Sequence, residues 1–420
     1  MDLPIIFMPF TEMRGFAMNK KTGVGFFSIF SLWAGAAISL AEILTGGLLA
    51  PLGLKKGILL ILLGHLIGCL ILAFTGIIGF KEKKPSLIAS RVSLGRYGSY
   101  LVSIFNIIQL IGWTAIMLIQ CANATGGLLN LSSRAVFIAA IIVTGLIVII
   151  WAFFLIKSIN LLNNIAVGLL FLLCAIILGM ILLNSGHSPA IVAGSISVGA
   201  ALELSIIMPL SWVPLISDYS MSARSARGSF WGSFIGYFVA SSFMYIIGLA
   251  AAVYTGSSSI TGILGSMRLG AAALAVVVLA TVTTTYVDVY SAVMSAINIG
   301  PKLSKKALIV IVTGIGTVTA LIFPMENYQG FLYIIGSAFA PIFAVILTDY
   351  FLFKADRSKI AVNIVGIFCA GIGAAVYYLF ISLDLPFGST LPSMFITATL
   401  YAVIRLAVNK YKTKTPLMEE

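Results

Sequence analysis

Residues 31–54 read SLWAGAAISLAEILTGGLLAPLGL. The run is apolar enough to enter a bilayer, yet it makes a poor plain membrane helix. Gly35, Ser39, Glu42, Thr45, Gly46 and Gly47 interrupt it, and Pro51 closes it. A carboxylate at the centre of a spanning helix costs roughly 2.5–3.5 kcal/mol on insertion scales, so an anchor helix has no use for Glu42. Small and polar residues around an acid predict a helix that breaks inside the membrane. Freed carbonyls at such a break hold a cation, and the new half-helix ends hold a ligand. The competing reading is a kinked packing helix whose glycines admit close neighbours. A second interrupted stretch favours the break. ALELSIIMPLSWVPLISDY (201–219) carries Pro209 and Pro214, with Ser211 and Trp212 between them. Proline removes a backbone donor, and in lipid the freed groups need protein or a water-filled cavity around them.

The rest of the chain fits this reading. Of its 420 residues, 60% are hydrophobic and 9% charged, and the mean hydropathy is +1.12. Apolar runs follow one another at about 26–52, 57–80, 99–126, 134–156, 160–183, 198–219, 229–254, 269–298, 307–323, 329–352, 359–381 and 388–409. Each is long enough to cross a bilayer. The fold class is therefore an all-α polytopic membrane protein with twelve transmembrane helices. A β-barrel would alternate in short segments, and these runs do not. Interrupted spans 1 and 6, five apart, predict two five-helix repeats of opposite orientation, residues 26–184 and 185–352. The ligand site then falls at mid-membrane between the breaks.

A formal charge of +12 invites a nucleic-acid reading, but the charge sorts by side of the membrane. With a short lead (1–25) and tail (410–420) both cytoplasmic, 21 of the 25 basic residues lie inside. Lys55–Lys56 in the first outer turn are the local exception. Cys69, Cys121, Cys174 and Cys369 fall inside spans with no CxxC spacing, which indicates neither a disulfide frame nor a metal cluster. His65 and His187 stand alone. The first 25 residues lack a signal-peptide core and cleavage site, so span 1 is read as its own insertion signal into the plasma (inner) membrane.

Span 3 places Asn106, Gln109, Trp113 and Gln120 on one helical face. An indole flanked by amides suits a flat heterocycle, because the ring stacks and an amide both donates and accepts. Interhelical amide bonding is the competing reading, at least as strong for Asn106 and Gln120. Span 8 carries a stripe of Thr281, Thr284, Asp288, Ser291 and Ser295, with Thr283–Thr285 one turn before Asp288. Adjacent hydroxyls with free carbonyls make a hard-oxygen pocket for a small cation. Threonines in such helices also bond back to their own carbonyls. Glu42, Glu203 and Asp288 are acids at membrane depth, where an ionisable residue defaults to function. Glu203 sits early in span 6 and is read as stabilising that helix's N-terminus. Asp218 and Asp349 lie near inner ends beside basic loops, which predicts structural or gating ion pairs.

Several stretches, in this order, resemble one family. They are Thr45–Gly47 (TGG), SLGRYGSY (93–100), Gly112–Trp113, Asp218–Tyr219 and TTTYVDVYSA (283–292). Over essentially its whole length the chain resembles the nucleobase–cation symporter-1 family of purine/cytosine permeases and hydantoin transporters. WAGAAISLAEILTGGLLAPLG together with PLSWVPLISDY looks most like the CytX-type subgroup, associated with hydroxymethylpyrimidine, a thiamin precursor. The resemblance implies a leucine-transporter-like 5+5 inverted repeat with broken helices 1 and 6, plus peripheral helices 11 and 12 (353–409). It implies cation-coupled uptake, with sodium held by carbonyls of Gly35, Ile38 and Ala280 and hydroxyls of Thr283 and Thr284. It also implies ring stacking on Trp113 and Trp212. Three departures stand out. Trp212 lies closer to Asp218 than the family usually shows, Met221 replaces a frequent arginine, and the family's span 8 asparagine has no match beyond nearby Asp288.

The combined reading is a secondary active importer of a small planar pyrimidine, most like hydroxymethylpyrimidine, and not an enzyme. Trp113 and Trp212 sandwich the ring, with Ser39, Glu42, Gln109, Ser211 and Asp288 around its edge. Asp288 or Glu42 accepts from an exocyclic amine, and Gln109 or a protonated carboxyl donates to a ring nitrogen. Sodium is the expected coupling ion. A proton, carried by Glu42 or Asp288, is the alternative. The partners are the pyrimidine and the lipid bilayer, with no nucleic acid. Cytosine, purine or hydantoin transport is the runner-up. A channel would need a continuous polar pore, and a membrane-embedded enzyme a nucleophile–base pair or metal ligands at depth.

The charge bias sets a test of orientation. Loops 81–98, 220–228 and 300–306 hold 10 of the 25 basic residues. Single cysteines placed there, in a cysteine-free background, should resist membrane-impermeant thiol reagents in intact cells. Ready labelling from outside would overturn the twelve-span orientation.

Overall fold

The computed structural model describes residues 23–129, 133–154, 159–183, 194–257, 262 and 270–414. Most of the expected lead (1–25) and outer loop (185–195), and residues 415–420 of the tail, lie outside them. Span 1 is two helices, α1 (Phe26–Ala37) and α2 (Leu40–Leu48), followed by a 3-10 turn at Ala50–Leu52. Then come α3 (Gly53–Glu82), two short helices α4 (Ser86–Ala89) and α5 (Arg91–Leu94), α6 (Ser99–Leu129), α7 (Arg134–Phe154) and α8 (Ile159–Leu183). Span 6 is α9 (Val198–Ser211), a 3-10 turn at Val213–Leu215, and α10 (Ile216–Ser220). The remainder is α11 (Ala226–Thr255), α12 (Gly270–Ile299), α13 (Lys305–Ile322), α14 (Tyr328–Leu347), α15 (Ile364–Leu383) and α16 (Thr390–Lys414). Among the described residues eleven helices are long and apolar enough to cross a membrane, and the bent pair α1/α2 makes a twelfth.

The break in span 1 falls at Ile38–Ser39, where the axis turns by 60°. Ser39 is extended (φ −142°, ψ 160°), and the Ile38 N–H closes a tight turn onto Gly35 O at 3.2 Å. The last carbonyls of α1 and the first N–H groups of α2 are thereby left without helical partners. Ser39-Leu40-Ala41-Glu42 spells a capping box, yet the box is not made. Ser39 forms no side-chain cap, and both Glu42 oxygens bond to α11 instead.

Span 6 is interrupted differently. α9 runs through Pro209 to Ser211, and the ladder lapses only at Trp212–Leu215. Here the Leu215 N–H bonds Trp212 O at 2.9 Å, a 3-10 contact. The Ser211 carbonyl, which an α-helix would pair with Leu215, is released toward α6. The two halves stay within 40° of one axis, so span 6 is interrupted without the bend of span 1.

Both halves of span 1 lie on α11, with backbone approaching backbone. A Cβ on Gly46 would land on the Tyr245 carbonyl oxygen, and one on Gly248 would land on the Ile43 carbonyl oxygen. At the far end, Val24 forms a two-bond bridge to the segment after span 6, with Val24 N to Ser222 O and Arg224 N to Val24 O both 2.8 Å.

Three acids, Glu203 at membrane depth and Asp218 and Asp349 near the inner ends, prove structural. Glu203 does not cap its own helix. It accepts from Tyr377 Oη, Thr390 Oγ1 and the N–H groups of Ser389 and Thr390 at 2.5–2.9 Å, which caps α16. Asp349, fully buried, pairs with Arg357 at 2.7 Å and lies 3.7 Å from Arg405. Among the described residues Asp218 forms no ion pair and instead accepts from the Ser86 N–H at 2.9 Å, while Ser86 Oγ accepts from the N–H groups of Ser217 and Asp218. Span 11 starts five residues later than its apolar run, because Ile360 and Ala361 give their carbonyls to the Arg96 and Tyr97 N–H groups.

The α2–α11 crossing yields a paired stability test. Gly46→Ala sets a methyl against main chain that cannot rotate away, and should cost about 1–3 kcal/mol. Gly371→Ala on α15 meets nothing within 4 Å and should be neutral or stabilising by about 0.5–1 kcal/mol. Thermal unfolding in detergent reads both, and equal behaviour would contradict the crossing.

Candidate functional site

The span 1 break, the end of α9, and the facing sides of α6 and α12 enclose one cavity. All seven side chains expected at the substrate line it: Ser39, Glu42, Gln109, Trp113, Ser211, Trp212 and Asp288. Its volume is about 60 Å³. A single water needs about 10–15 Å³ of occupied space, so the cavity has room for more than one. Of the expected cation ligands, Gly35, Ile38 and Thr284 line the cavity, whereas Ala280 and Thr283 stand behind its wall.

The two indoles make no ring contact with each other, and each is braced from behind. Trp113 meets Phe331 and Tyr328 edge-on, at 5.2 and 6.2 Å between centroids. Trp212 meets Trp33 edge-on at 5.8 Å, and Trp33 in turn packs on Tyr219 and Tyr237. Trp33 is fully buried and was missed from sequence, although it stands two residues before Gly35 in the deciding stretch.

Hydrogen counting fixes the polarity of the polar edge. Ser295 Oγ donates to Ser291 O at 2.9 Å, so toward Asn106 it can only accept. Asn106 therefore donates its Nδ2–H to Ser295 at 2.8 Å and turns its carbonyl oxygen to Gln109. Gln109 Nε2 donates to that oxygen at 2.7 Å and to the released Ser211 carbonyl at 2.9 Å. Both amide hydrogens of Gln109 are then committed, and its Oε1 is buried without a partner. Gln109 thus presents an acceptor to a ligand, not the donor expected from sequence.

The carboxylates divide in role. Among the described residues nothing hydrogen-bonds Asp288, which lines the cavity at 7% exposure. Glu42 reaches the same cavity, but its two oxygens are engaged, one by Tyr237 Oη and one by Ser241 Oγ, at 2.7 Å each. Ser241 also lies 2.5 Å from His65 Nε2. His65 had been read as solitary. Its partner lies 176 residues away, and the only sequence signal was a histidine at membrane depth.

On α12, Thr283 and Thr284 both donate to Ala280 O at 2.9 Å, the back-bonded arrangement. Their protons point to that carbonyl, so the oxygen lone pairs remain for a cation. Ile38 and Thr284 line the same cavity, so the span 1 break and this turn of α12 face one space.

Residues 18–365 match the family described as permeases for cytosine/purines, uracil, thiamine and allantoin. The cytosine permease of Escherichia coli (strain K12) is 28% identical over 367 residues, which cover 84% of this chain and 83% of that protein. Among solved structures, the inward-facing conformation of Mhp1 aligns with TM-score 0.77 at 18% identity, over 94% of this chain and 93% of the other. Mhp1, a nucleobase-cation-symport-1 family transporter, in a closed conformation with bromovinylhydantoin bound gives 0.74 at 19% identity over 94% of each chain. A Na+-coupled sialic acid symporter in its substrate-bound outward-open state gives 0.64 at 12% identity over 94% of each.

Proposed function

The chain belongs to the family of permeases for cytosine/purines, uracil, thiamine and allantoin, and we propose that within it this protein is a cation-coupled importer of a small aminopyrimidine, hydroxymethylpyrimidine foremost. It is a multi-pass membrane transporter of the leucine-transporter-like fold. The observation that carries the substrate reading is the double acceptor edge. Among the described residues Asp288 has no hydrogen-bond partner, and Gln109 is locked with its oxygen free, in a cavity walled by Trp113 and Trp212. A ligand that satisfies two buried acceptors must bring hydrogen-bond donors. An exocyclic amine and a hydroxymethyl group supply them, and the ring supplies the face for stacking. Ser39 and Ser211 complete the edge, and Glu42 flanks it. Cytosine is the second reading, favoured by the cytosine permease relative, and it too carries an exocyclic amine.

Sodium is the coupling ion in this proposal, held by carbonyls of Gly35, Ile38 and Ala280 and by the hydroxyls of Thr283 and Thr284. The released carbonyls of α1 and the outward lone pairs of the two threonines support that set, and sodium coupling of a carrier with this fold is consistent with it. Residues 26–184 and 185–352 form the two repeats, residues 353–409 lie at the periphery, and both termini face the cytoplasm of a plasma-membrane protein.

Uptake and binding in proteoliposomes test the ligand. Trp113→Ala should lose more than about tenfold in affinity, from stacking of about 0.5–1.5 kcal/mol plus lost burial. Asp288→Asn keeps the shape and exchanges one acceptor oxygen for a donor. Hydroxymethylpyrimidine and cytosine should then weaken more than oxo-substituted pyrimidines. An unchanged preference in well-folded Asp288→Asn protein would remove Asp288 from the binding edge.

The cation set has its own test. Uptake by the Thr283→Ala, Thr284→Ala double variant should lose its dependence on sodium. Wild-type uptake indifferent to sodium would sink the site.

A further inference from the structure

Glu42, Ser241 and His65 form a chain whose hydrogens can be counted. His65 Nδ1 faces the Ile61 carbonyl at 2.9 Å, and a carbonyl only accepts, so Nδ1 carries a hydrogen. Two links remain, Nε2 to Ser241 Oγ at 2.5 Å and Ser241 Oγ to Glu42 Oε2 at 2.7 Å. They need two hydrogens, and the serine hydroxyl has one. The surrounding phenols cannot lend the other. Tyr237 donates to Glu42 Oε1, Tyr245 donates to Leu204 O, and Tyr328 donates to Thr45, whose own hydroxyl is committed to Ala41 O. The second hydrogen is therefore a dissociable proton, residing on Glu42 or on His65 Nε2. Both arrangements leave the unit neutral.

Among the described residues the proton is also the unit's only neutralising charge. Glu42, Ser241 and His65 are 2%, 0% and 0% exposed. Among the described residues no lysine or arginine pairs with them. The titratable groups facing the unit are Tyr237 and Tyr245 on α11, Cys69 on α3 and Tyr328 on α14. The Tyr245 ring lies edge-on to His65 at 4.6 Å. α9 adds only Glu203, whose oxygens are turned to Tyr377, Ser389 and Thr390. Asp288 stands on the wall of the same cavity.

We propose that Glu42, Ser241 and His65 are a one-proton binding site that the transport cycle loads and unloads, so that the carrier moves a proton as well as its other coupling ion. The site's placement argues for coupling. Its members sit on α2, α11 and α3, and one of them, Glu42, lines the substrate cavity. Because Glu42 itself lines that cavity, the proton is gained and lost from the side to which the cavity is open. The inference rests on the importer reading, but its test does not depend on it entirely.

The sign of the pH effect follows from the count. An unfolded chain, with ordinary values of about 4.3 for glutamate and 6.5 for histidine, holds neither proton well above pH 6.5. The folded unit holds one, so its stability falls as pH rises above about 6.5. In Glu42→Gln the amide supplies the second hydrogen permanently, and that alkaline loss should vanish. Thermal unfolding of the full-length protein from pH 6 to 9, without ligand, reads this directly. Parallel profiles for wild type and Glu42→Gln would overturn the site.

The coupling is read in proteoliposomes with equal sodium on both sides, zero membrane potential and a one-unit pH gradient, acid outside. One coupled proton allows up to about tenfold accumulation of radiolabelled cytosine. His65→Gln should reach only equality. Wild-type equality would overturn the coupling. Entry of neither cytosine nor hydroxymethylpyrimidine, even under a sodium gradient, would instead count against the pyrimidine reading, and the ligand-free pH profile would still decide the proton site.

Discussion

A helix that breaks inside a bilayer has to be held by its neighbours, because no solvent is there to satisfy the released backbone. This constraint organises the structure. At Ile38–Ser39 the chain gives up helical hydrogen bonds and turns by 60°. The two pieces keep their places because both rest on α11, with Gly46 and Gly248 bringing backbone against backbone and Glu42 bonded to Tyr237 and Ser241. The acid costly to a plain membrane helix is what ties the second piece to that support. It sits in the first turn of α2, where the helix dipole also favours negative character.

The same constraint acts on span 6 with another solution. Pro209 and Pro214 lie in its middle, yet the helix does not bend sharply there. The ladder lapses in a short 3-10 turn, and a carbonyl released there, that of Ser211, is taken up by Gln109. Backbone irregularity in span 6 thereby sets the orientation of a side chain on α6. The order runs from the Ser291 carbonyl through Ser295 and Asn106 to Gln109, and each link carries one hydrogen.

Much of this was legible in the sequence, and the reason is the bilayer. Hydropathy runs mark spans because lipid tolerates little else, so every span was found, most boundaries to within a few residues. Gly35, Ser39 and Glu42 within an apolar run, matched five spans later by Pro209 and Pro214, marked the interruptions. The residues then gathered at one cavity followed from helical faces, as with Gln109 and Trp113 on α6. What the sequence did not show depends on partners distant along the chain. Glu203 was read as serving its own helix, but its partners stand 174 to 187 residues away on the peripheral helices. Asp218 sits among basic loops, yet a backbone N–H satisfied it first. Span 6 was expected to break as span 1 does, because proline content marks an interruption and not an angle.

The direction of each hydrogen bond was the deepest of these hidden features, and it bears most on function. An amide on a cavity wall can donate or accept, and sequence gives no preference. Gln109 becomes an acceptor only because a carbonyl fixes each end of its chain of contacts, Ser291 O through two side chains and Ser211 O directly. The same logic makes the Glu42 unit one hydrogen short, because Ile61 O claims the first histidine hydrogen. Main-chain carbonyls that the helices leave free or share thus impose polarity on side chains several bonds away. Where such a chain ends at a cavity, that polarity selects the ligand's edge. Where it closes on a carboxylate and an imidazole, it demands a proton.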